Sequence, residues 1–451
     1  MKIVVAGDGK VGRTLSEQLA REGHDIVVID NREQALANSV SALDIIGVYG
    51  NAASSVVQIE AGVPHSDLVI AATSSDELNM LCCLVAKKLG ARNTIARVRN
   101  PEYADQLVFM REELGLSMSI NPENAAADEI FRMLRFPAAD RIETFSQGRV
   151  ELMELKLAEQ SPLDGLPLSS LYQKLKVKVL VCAVQRGEEV FIPDGYFALK
   201  SGDRINVTGT FHEMEGFFGA LGVLRSQVRN VLIVGGGRIT YYLSRRLLEV
   251  GVAVRIIENN AERCRVLCEY LPKATIIEAD GTDSEVLLEE GIESVDGFIS
   301  LTGVDEENII LSLYANSKKV GKVVSKINRT SLIDLMRDAR LGGIISPKDI
   351  TANQIISYVR GMQNTMGSNV KTMVKIVGGQ VEALEFHAKE ANELIGTPLK
   401  NLHLKKNLLI ACIVRGKATI IPDGDDYIMA NDSVIVVTTR QHLHDLVDIL
   451  R

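Results

Sequence analysis

The 451-residue sequence predicts an α/β fold. It comprises two Rossmann-like, doubly wound parallel-sheet domains, each followed by a bridging helix and a small, β-rich α+β domain. Three observations predict this. The first thirty residues read strand, glycine turn, helix, strand and terminal acid, the order of a Rossmann βαβ unit. The pattern returns 228 residues later with the same internal spacing. After each copy comes a β-rich segment of about 80 residues carrying the same Ile-Pro-Asp-Gly turn.

In the first copy, Ile3–Ala6 is a short apolar run, long enough for one buried strand. Gly7-Asp8-Gly9-Lys10-Val11-Gly12 is a complete G-x-G-x-x-G. Val11, Leu15 and Leu19 recur every four residues, the apolar stripe of a helix packed on a sheet. Ile26–Ile29 is a second strand and ends in Asp30, 23 positions after Gly7. This constellation points to dinucleotide binding. Gly7 makes the tight turn, Gly9 lets a pyrophosphate approach the backbone, and Gly12 lets helix and strand pack closely. The helix N-terminus offers N–H groups and a positive dipole end to phosphates. Asp30 is placed to accept hydrogen bonds from adenosine ribose hydroxyls. Lys10 either reaches a phosphate or lies solvated, and Asp8 opposes a pyrophosphate unless its side chain points outward. Thr73 and Ser74 follow a strand at the carboxyl edge of the sheet, where open α/β folds bind ligands.

In the second copy the strand Asn230–Val234 leads into Gly235-Gly236-Gly237-Arg238-Ile239-Thr240. Ile239, Leu243 and Leu247 repeat the helical stripe, and Glu258 stands 23 positions after Gly235. Asp67–Thr73 is answered by Asp296–Thr302 at offset 229, and Asp76 and Asn79 by Asp305 and Asn308. Small drifts in offset are what surface-loop insertions produce. The strand containing Arg97 matches the one containing Lys326. The third glycine is replaced by Thr240, whose branched side chain should push the helix outward unless its hydroxyl points along the helix axis. The two sites are therefore expected to be unequal, the N-terminal one tighter. Arg238 adds a cation to the second turn, and Gly236 frees it of the charge that Asp8 carries. Asp30 and Glu258 would both repel a 2′-phosphate, favouring NAD(H) over NADP(H), with ADP or ATP able to share the adenosine pocket.

Asn121-Pro122-Glu123 and Ser346-Pro347-Lys348-Asp349 each start a helix, with Pro in the first turn. These run to about Arg135 and Arg360, before polar stretches containing Gly148, or Gly361 and Gly367. Strands are then expected at Val150–Leu157, Val177–Gln185 and Asp203–Thr210. Their counterparts include Leu408–Val414 and Asp432–Thr439, and Ile192-Pro-Asp-Gly195 and Ile421-Pro-Asp-Gly424 mark turns 229 residues apart. The expected boundaries are 1–119, 120–136 and 137–221 for the first half, and 228–344, 345–366 and 367–451 for the second.

Composition narrows the function classes. A net charge of −8 does not suit a nucleic-acid binder. Apolar runs such as Asn407–Val414 fall far short of the ~20 residues needed to cross a bilayer. The opening on a core strand suggests no signal peptide. Six cysteines without a paired C-x-x-C read as buried thiols in a reducing compartment, and Cys264 and Cys268 lack a completing zinc ligand. The pattern G-K-[ST] of a P-loop is absent.

The duplicated architecture resembles the RCK domains that regulate potassium channels and transporters. The residues that carry the resemblance are GDGKVG with Asp30, the segment Ala72–Met80, and Ala96-Arg97-Val98-Arg99. The resemblance implies that Thr73, Ser74 and Arg97 contact a nucleotide, NAD(H) or ADP/ATP, with Asn51 near the adenine. It further implies a cytoplasmic regulatory subunit held at the membrane by a potassium-translocating integral membrane partner. Such proteins form rings beneath a channel, so a homotetramer is expected. The alternative is an NAD-dependent oxidoreductase. That reading needs a substrate domain and a general acid or base. The β-rich units are small, and none of the seven histidines recurs at the same place in both copies. His24, His442 and His444 read as solvated surface residues.

Overall fold

A computed structural model describes all residues except 112, 137, 138, 140, 223–227, 330–342, 365–369, 390–393, 440–442 and 444. It begins with β1 (Lys2–Ala6), α1 (Lys10–Arg21), β2 (Asp25–Asp30), α2 (Glu33–Ala42), β3 (Ile46–Tyr49) and α3 (Ser55–Glu60). Then come β4 (Leu68–Ala71), α4 (Asp76–Leu89), β5 (Asn93–Arg97), α5 (Pro101–Met110), β6 (Met118–Ile120) and α6 (Pro122–Arg135). The strands form one parallel sheet in the order β3-β2-β1-β4-β5-β6. Strand order reverses between β1 and β4, which opens a crevice at their carboxyl ends.

Local chemistry accounts for these elements. β1 is buried from Ile3 onward, and α1 buries Val11, Leu15 and Leu19. At the start of α4, the Ser75 side chain accepts a hydrogen bond from the Leu78 N–H, and Asp76 and Glu77 occupy the first turn. Lys87 and Lys88 lie in its last turn, and Gly90 ends it in a left-handed conformation. Both ends suit the helix dipole.

The first antiparallel sheet contains β7 (Arg141–Phe145), β8 (Val150–Lys156), β9 (Leu180–Arg186), β10 (Glu189–Phe191) and β11 (Arg204–Gly209), in the order β10-β9-β11-β8-β7. Helices α7 (Leu171–Leu175) and α8 (Phe211–Ala220) accompany it.

The second half repeats the first. Its parallel sheet is β14-β13-β12-β15-β16-β17, from β12 (Asn230–Val234), β13 (Ala253–Glu258), β14 (Thr275–Glu278), β15 (Gly297–Ser300), β16 (Lys322–Lys326) and β17 (Gly343–Ile345). The helices are α9 (Arg238–Glu249), α10 (Ala261–Tyr270), α11 (Ser284–Glu289), α12 (Asp305–Ser317) and α13 (Pro347–Asn364). The last sheet is β18-β19-β22-β20-β21, from β18 (Val370–Ile376), β19 (Val381–His387), β20 (Leu408–Arg415), β21 (Ala418–Ile420) and β22 (Ser433–Thr438).

Several expectations need correction. β7 falls where a polar linker was expected and β18 is a strand not anticipated in the second small domain, because each is a sheet-end strand that mixes charged with apolar residues. Gly361 lies within α13 instead of ending it; a helix-interior glycine costs only ~1 kcal/mol, which neighbouring turns can absorb. Gly367, His442 and His444 lie outside the described residues. His24 is buried, since it closes the α1–β2 turn against the sheet. Cys268 is exposed, the other five cysteines buried.

The chain divides into two units. One holds both parallel sheets, Met1–Phe131 with Val228–Ile356. In it the Tyr242 hydroxyl donates to the Arg99 carbonyl at 3.2 Å and accepts from Asn121 at 2.8 Å, and Arg246 pairs with Asp128 at 2.7 Å. The other unit, Arg132–Gln227 with Ser357–Arg451, holds both antiparallel sheets. These share one apolar core that includes Phe145, Cys182, Val377, Cys412 and Val437. Burial there pushes the Cys412 thiol up to about 12. Each of its two lobes is also locked by a guanidinium on a buried carboxylate, Arg186 on Asp203 and Arg415 on Asp432.

Candidate functional site

The three glycines of the first turn are glycines for different reasons. Gly7 has φ +102°, and a Cβ there would lie 2.9 Å from the Thr73 backbone. A Cβ on Gly12 would lie 1.8 Å from the Gly7 carbonyl oxygen. Gly9, the N-cap of α1, has φ −82°, and a Cβ on it would meet nothing within 4 Å. Neither backbone conformation nor packing asks for glycine there, and an N-cap is better served by Ser, Thr, Asp or Asn. The second turn repeats this, with Gly235 at φ +100° against Leu301 and Gly237 open at the N-cap of α9. What differs is Thr240. It is fully buried, and its hydroxyl donates to the Gly235 carbonyl. The second turn thus accommodates a Cβ where the first would clash with the Gly7 carbonyl.

At the end of β2, Asp30 is buried and accepts hydrogen bonds from the Asp8 N–H at 2.6 Å and the Arg32 N–H at 2.8 Å. Arg32 also pairs with it through Nε at 3.0 Å. Burial alone would raise the Asp30 pKa, but the bonds from Arg32 and Asp8 hold it below the ordinary carboxylate value. Glu258 is held alike by the Gly236 N–H at 2.6 Å and the Asn260 N–H at 2.9 Å. Each carboxylate therefore faces the turn beside its glycine-rich loop. Asp8 does not point outward. Its side chain is buried and accepts from Ser39 of α2 at 2.7 Å. Asn51 is exposed, its side chain capping the Ala53 N–H.

Across the crevice, Thr73 and Ser74 follow β4, and Arg97 ends β5. Asn79 joins them: its Oδ1 accepts from the Thr73 N–H at 2.8 Å and the Thr73 hydroxyl at 2.7 Å, and its Nδ2 donates to the Arg97 carbonyl at 2.8 Å. Asn308 repeats this between the Thr302 N–H and the Lys326 carbonyl, each at 2.9 Å. The starts of α1 and α9 line a cleft of about 320 Å³. Lys10, Arg97, Arg238, Lys326 and Lys348 supply cations to it, and Val11, Ile239 and Glu123 also line it. Burial lowers the pKa of both Arg97 and Lys326. Among the described residues, the buried Arg97 Nε and Glu123 Oε2 have no hydrogen-bond partner. The five cations and the open Arg97 Nε–H suit an anion, and the Glu123 carboxylate opposes one.

Family models for the TrkA-N domain match residues 3–122 and 231–347, and those for the TrkA-C domain match 152–222 and 384–451. The chain belongs to the TrkA family. A Trk system potassium uptake protein TrkA homolog from Archaeoglobus fulgidus is 33% identical over 451 residues, the whole of both chains. The Trk system potassium uptake protein TrkA of Haemophilus influenzae is 30% identical over 443 residues, 97% of this chain and 95% of that one. Among solved structures, the GsuK RCK domain aligns with a TM-score of 0.63 at 18% identity, covering 98% of this chain and 92% of that chain. A GsuK channel bound to NAD aligns equally, at 0.63 and 18%, covering 98% of this chain and 77% of that one. These likenesses speak to the fold.

Sequence reasoning passed over several residues of this TrkA-family site. Asn79 and Asn308 were visible as a repeated pair but not as clamps. Arg32 and Arg263 were not visible as equivalents. Arg32 donates to the Asp8 carbonyl at 3.1 Å and Arg263 to the Gly236 carbonyl at 2.6 Å, so each turn carries a guanidinium at the same place. They stand two and five positions after their acids, and no spacing rule links them.

Proposed function

We propose that this chain is the cytoplasmic regulatory subunit of a Trk-type potassium uptake transporter, which binds adenine nucleotides and thereby gates its integral membrane partner. The observation that carries the reading is Gly9 with its counterpart Gly237. Both are helix N-caps where neither φ nor packing demands glycine, and both helix starts offer N–H groups to a pyrophosphate. NAD(H) lies with its pyrophosphate on residues 7–12, its adenosine ribose on Asp30, and its far end near Thr73, Ser74 and Arg97. Asn51 borders the adenine. Residues 235–239 and Glu258 form the second site. ADP and ATP compete for the same adenosine pockets. Residues 1–119 and 228–344 are the nucleotide lobes, 120–136 and 345–366 the bridging helices, and 137–221 and 367–451 the C-terminal lobes. The subunit acts by binding and does no chemistry, in keeping with relatives named for potassium uptake. Four copies assemble, held at the membrane through the partner.

Gating requires the nucleotide to bind two states of the assembly unequally; a tenfold preference shifts their balance by about 1.4 kcal/mol. Calorimetric titration of the wild type, Asp30→Ala and Glu258→Ala with NADH, NADPH and ATP tests the binding. Two unequal events are expected for NADH, the tighter abolished by Asp30→Ala. Loss of the tighter event in Glu258→Ala alone would reverse the ranking, and no binding to either lobe would end the reading.

A further inference from the structure

β3 ends the first parallel sheet, and among the described residues its outer edge is unpaired. An edge strand is a template for another chain, and proteins blunt such edges with charge. The second lobe does so. At the β14 edge and on α11 it carries Thr275, Glu278 and Glu285, all exposed, beside Leu288. The same positions in the first lobe, offset by 229, are Ile46, Tyr49, Val56 and Ile59, each between 55% and 72% exposed. Two lobes with one backbone plan thus finish the same edge in opposite ways, so folding does not require the apolar set.

Charge says what covers it. From residue 33 to residue 86 the sequence has six acids and no Lys or Arg, and where the first lobe has Asp44 the second, at offset 229, has Lys273. Asp44 and Glu60 flank the apolar residues and are exposed. A second copy presenting the same face would bring acids against acids. The cytoplasmic loops of an integral membrane protein, in contrast, carry an excess of Lys and Arg.

We infer that the β3 edge with α3 is a docking surface for an extended, cation-flanked cytoplasmic segment of the membrane subunit, added as a further strand. Backbone hydrogen bonds to β3 supply affinity, and Ile46, Val56 and Ile59 receive apolar side chains. Asp44 and Glu60 pair with the flanking cations. The first lobe faces the membrane subunit by this edge, and the second lobe does not. This rests on the proposed function.

The test installs the second lobe's own residues, which that backbone already tolerates: Ile46→Thr, Tyr49→Glu and Val56→Glu together. A second variant, Asp44→Lys with Glu60→Lys, alters only charge. Binding is measured to nanodiscs carrying the potassium-translocating subunit, alongside ADP titration and light scattering of the soluble chain. Both variants are expected to bind the nanodiscs at least tenfold more weakly while keeping wild-type ADP affinity and mass. Unimpaired nanodisc binding by the triple variant overturns the docking surface alone. A fall in mass of the triple variant also overturns it, in favour of a second copy on this face. A wild-type chain that ignores the nanodiscs overturns the proposed function and the docking surface together.

Discussion

A methyl group built on Gly12 would strike the Gly7 carbonyl, whereas one built on Gly9 would enter open space. The two substitutions should therefore fail differently. Gly12→Ala forces α1 away from its turn and is expected to cost ~1–3 kcal/mol of stability. Gly9→Ala should change stability by no more than ~1 kcal/mol, the usual scale of N-cap changes, yet weaken ADP binding at least tenfold. Thermal unfolding and calorimetry on the same samples separate the two. A Gly9→Ala protein that binds ADP normally would mean that no phosphate approaches this backbone. The pH behaviour of the charged residues follows from their surroundings. Asp30 is held below the carboxylate value of 3.8, so its contribution is present above that value and lost only as pH falls through its folded pKa. ADP affinity should show no Asp30 titration from neutral pH down to about 5. Burial lowers Lys326 from 10.5 and Arg97 from 12.5. As pH rises, Lys326 should lose its charge before Arg97 does, and ADP binding by the second lobe should weaken with it. Lys326→Arg should delay that loss in a calorimetric pH series; an unchanged profile would place Lys326 outside the site.

Asn79 ties α4 to the ends of β4 and β5, and through them fixes Thr73 and Arg97. Asn79→Ala would leave the Thr73 N–H and the Arg97 carbonyl without this partner. A loss of ~1–3 kcal/mol is expected, together with weaker ADP binding by the first lobe only. Equal weakening in both lobes would show that the effect is general unfolding. Much at this scale was legible in the sequence. β1, β2 and β4 are apolar runs because parallel strands are covered on both faces, and the glycine turn with its acid announced the βαβ unit. β7 and β18 were illegible, because a strand at the end of an antiparallel sheet keeps charged residues among its apolar ones. The matching positions of Arg32 and Arg263 were hidden for another reason. The two lobes supply the same guanidinium from different points of α2 and α10, so only three-dimensional proximity pairs them. Thr240 stands out in the sequence as a departure, but that its hydroxyl bonds the Gly235 carbonyl is a rotamer outcome that no sequence pattern encodes.

In the unit that holds both parallel sheets, the starts of α1 and α9 face one cation-lined cleft, and α6 and α13 also begin there. Phosphate charge bound in either lobe would be felt at the first turns of both bridging helices. No helix among the described residues is long and apolar enough to cross a membrane. In the proposed function, nucleotide held by these lobes sets potassium flux. Its most direct test is potassium flux through proteoliposomes containing the membrane subunit, with wild-type chain or with the Asp30→Ala, Glu258→Ala double variant, as NADH, ADP and ATP are varied. Flux should change with nucleotide for the wild type and stay flat for the double variant. Flux that follows nucleotide equally with both chains, or with no chain added, would contradict it.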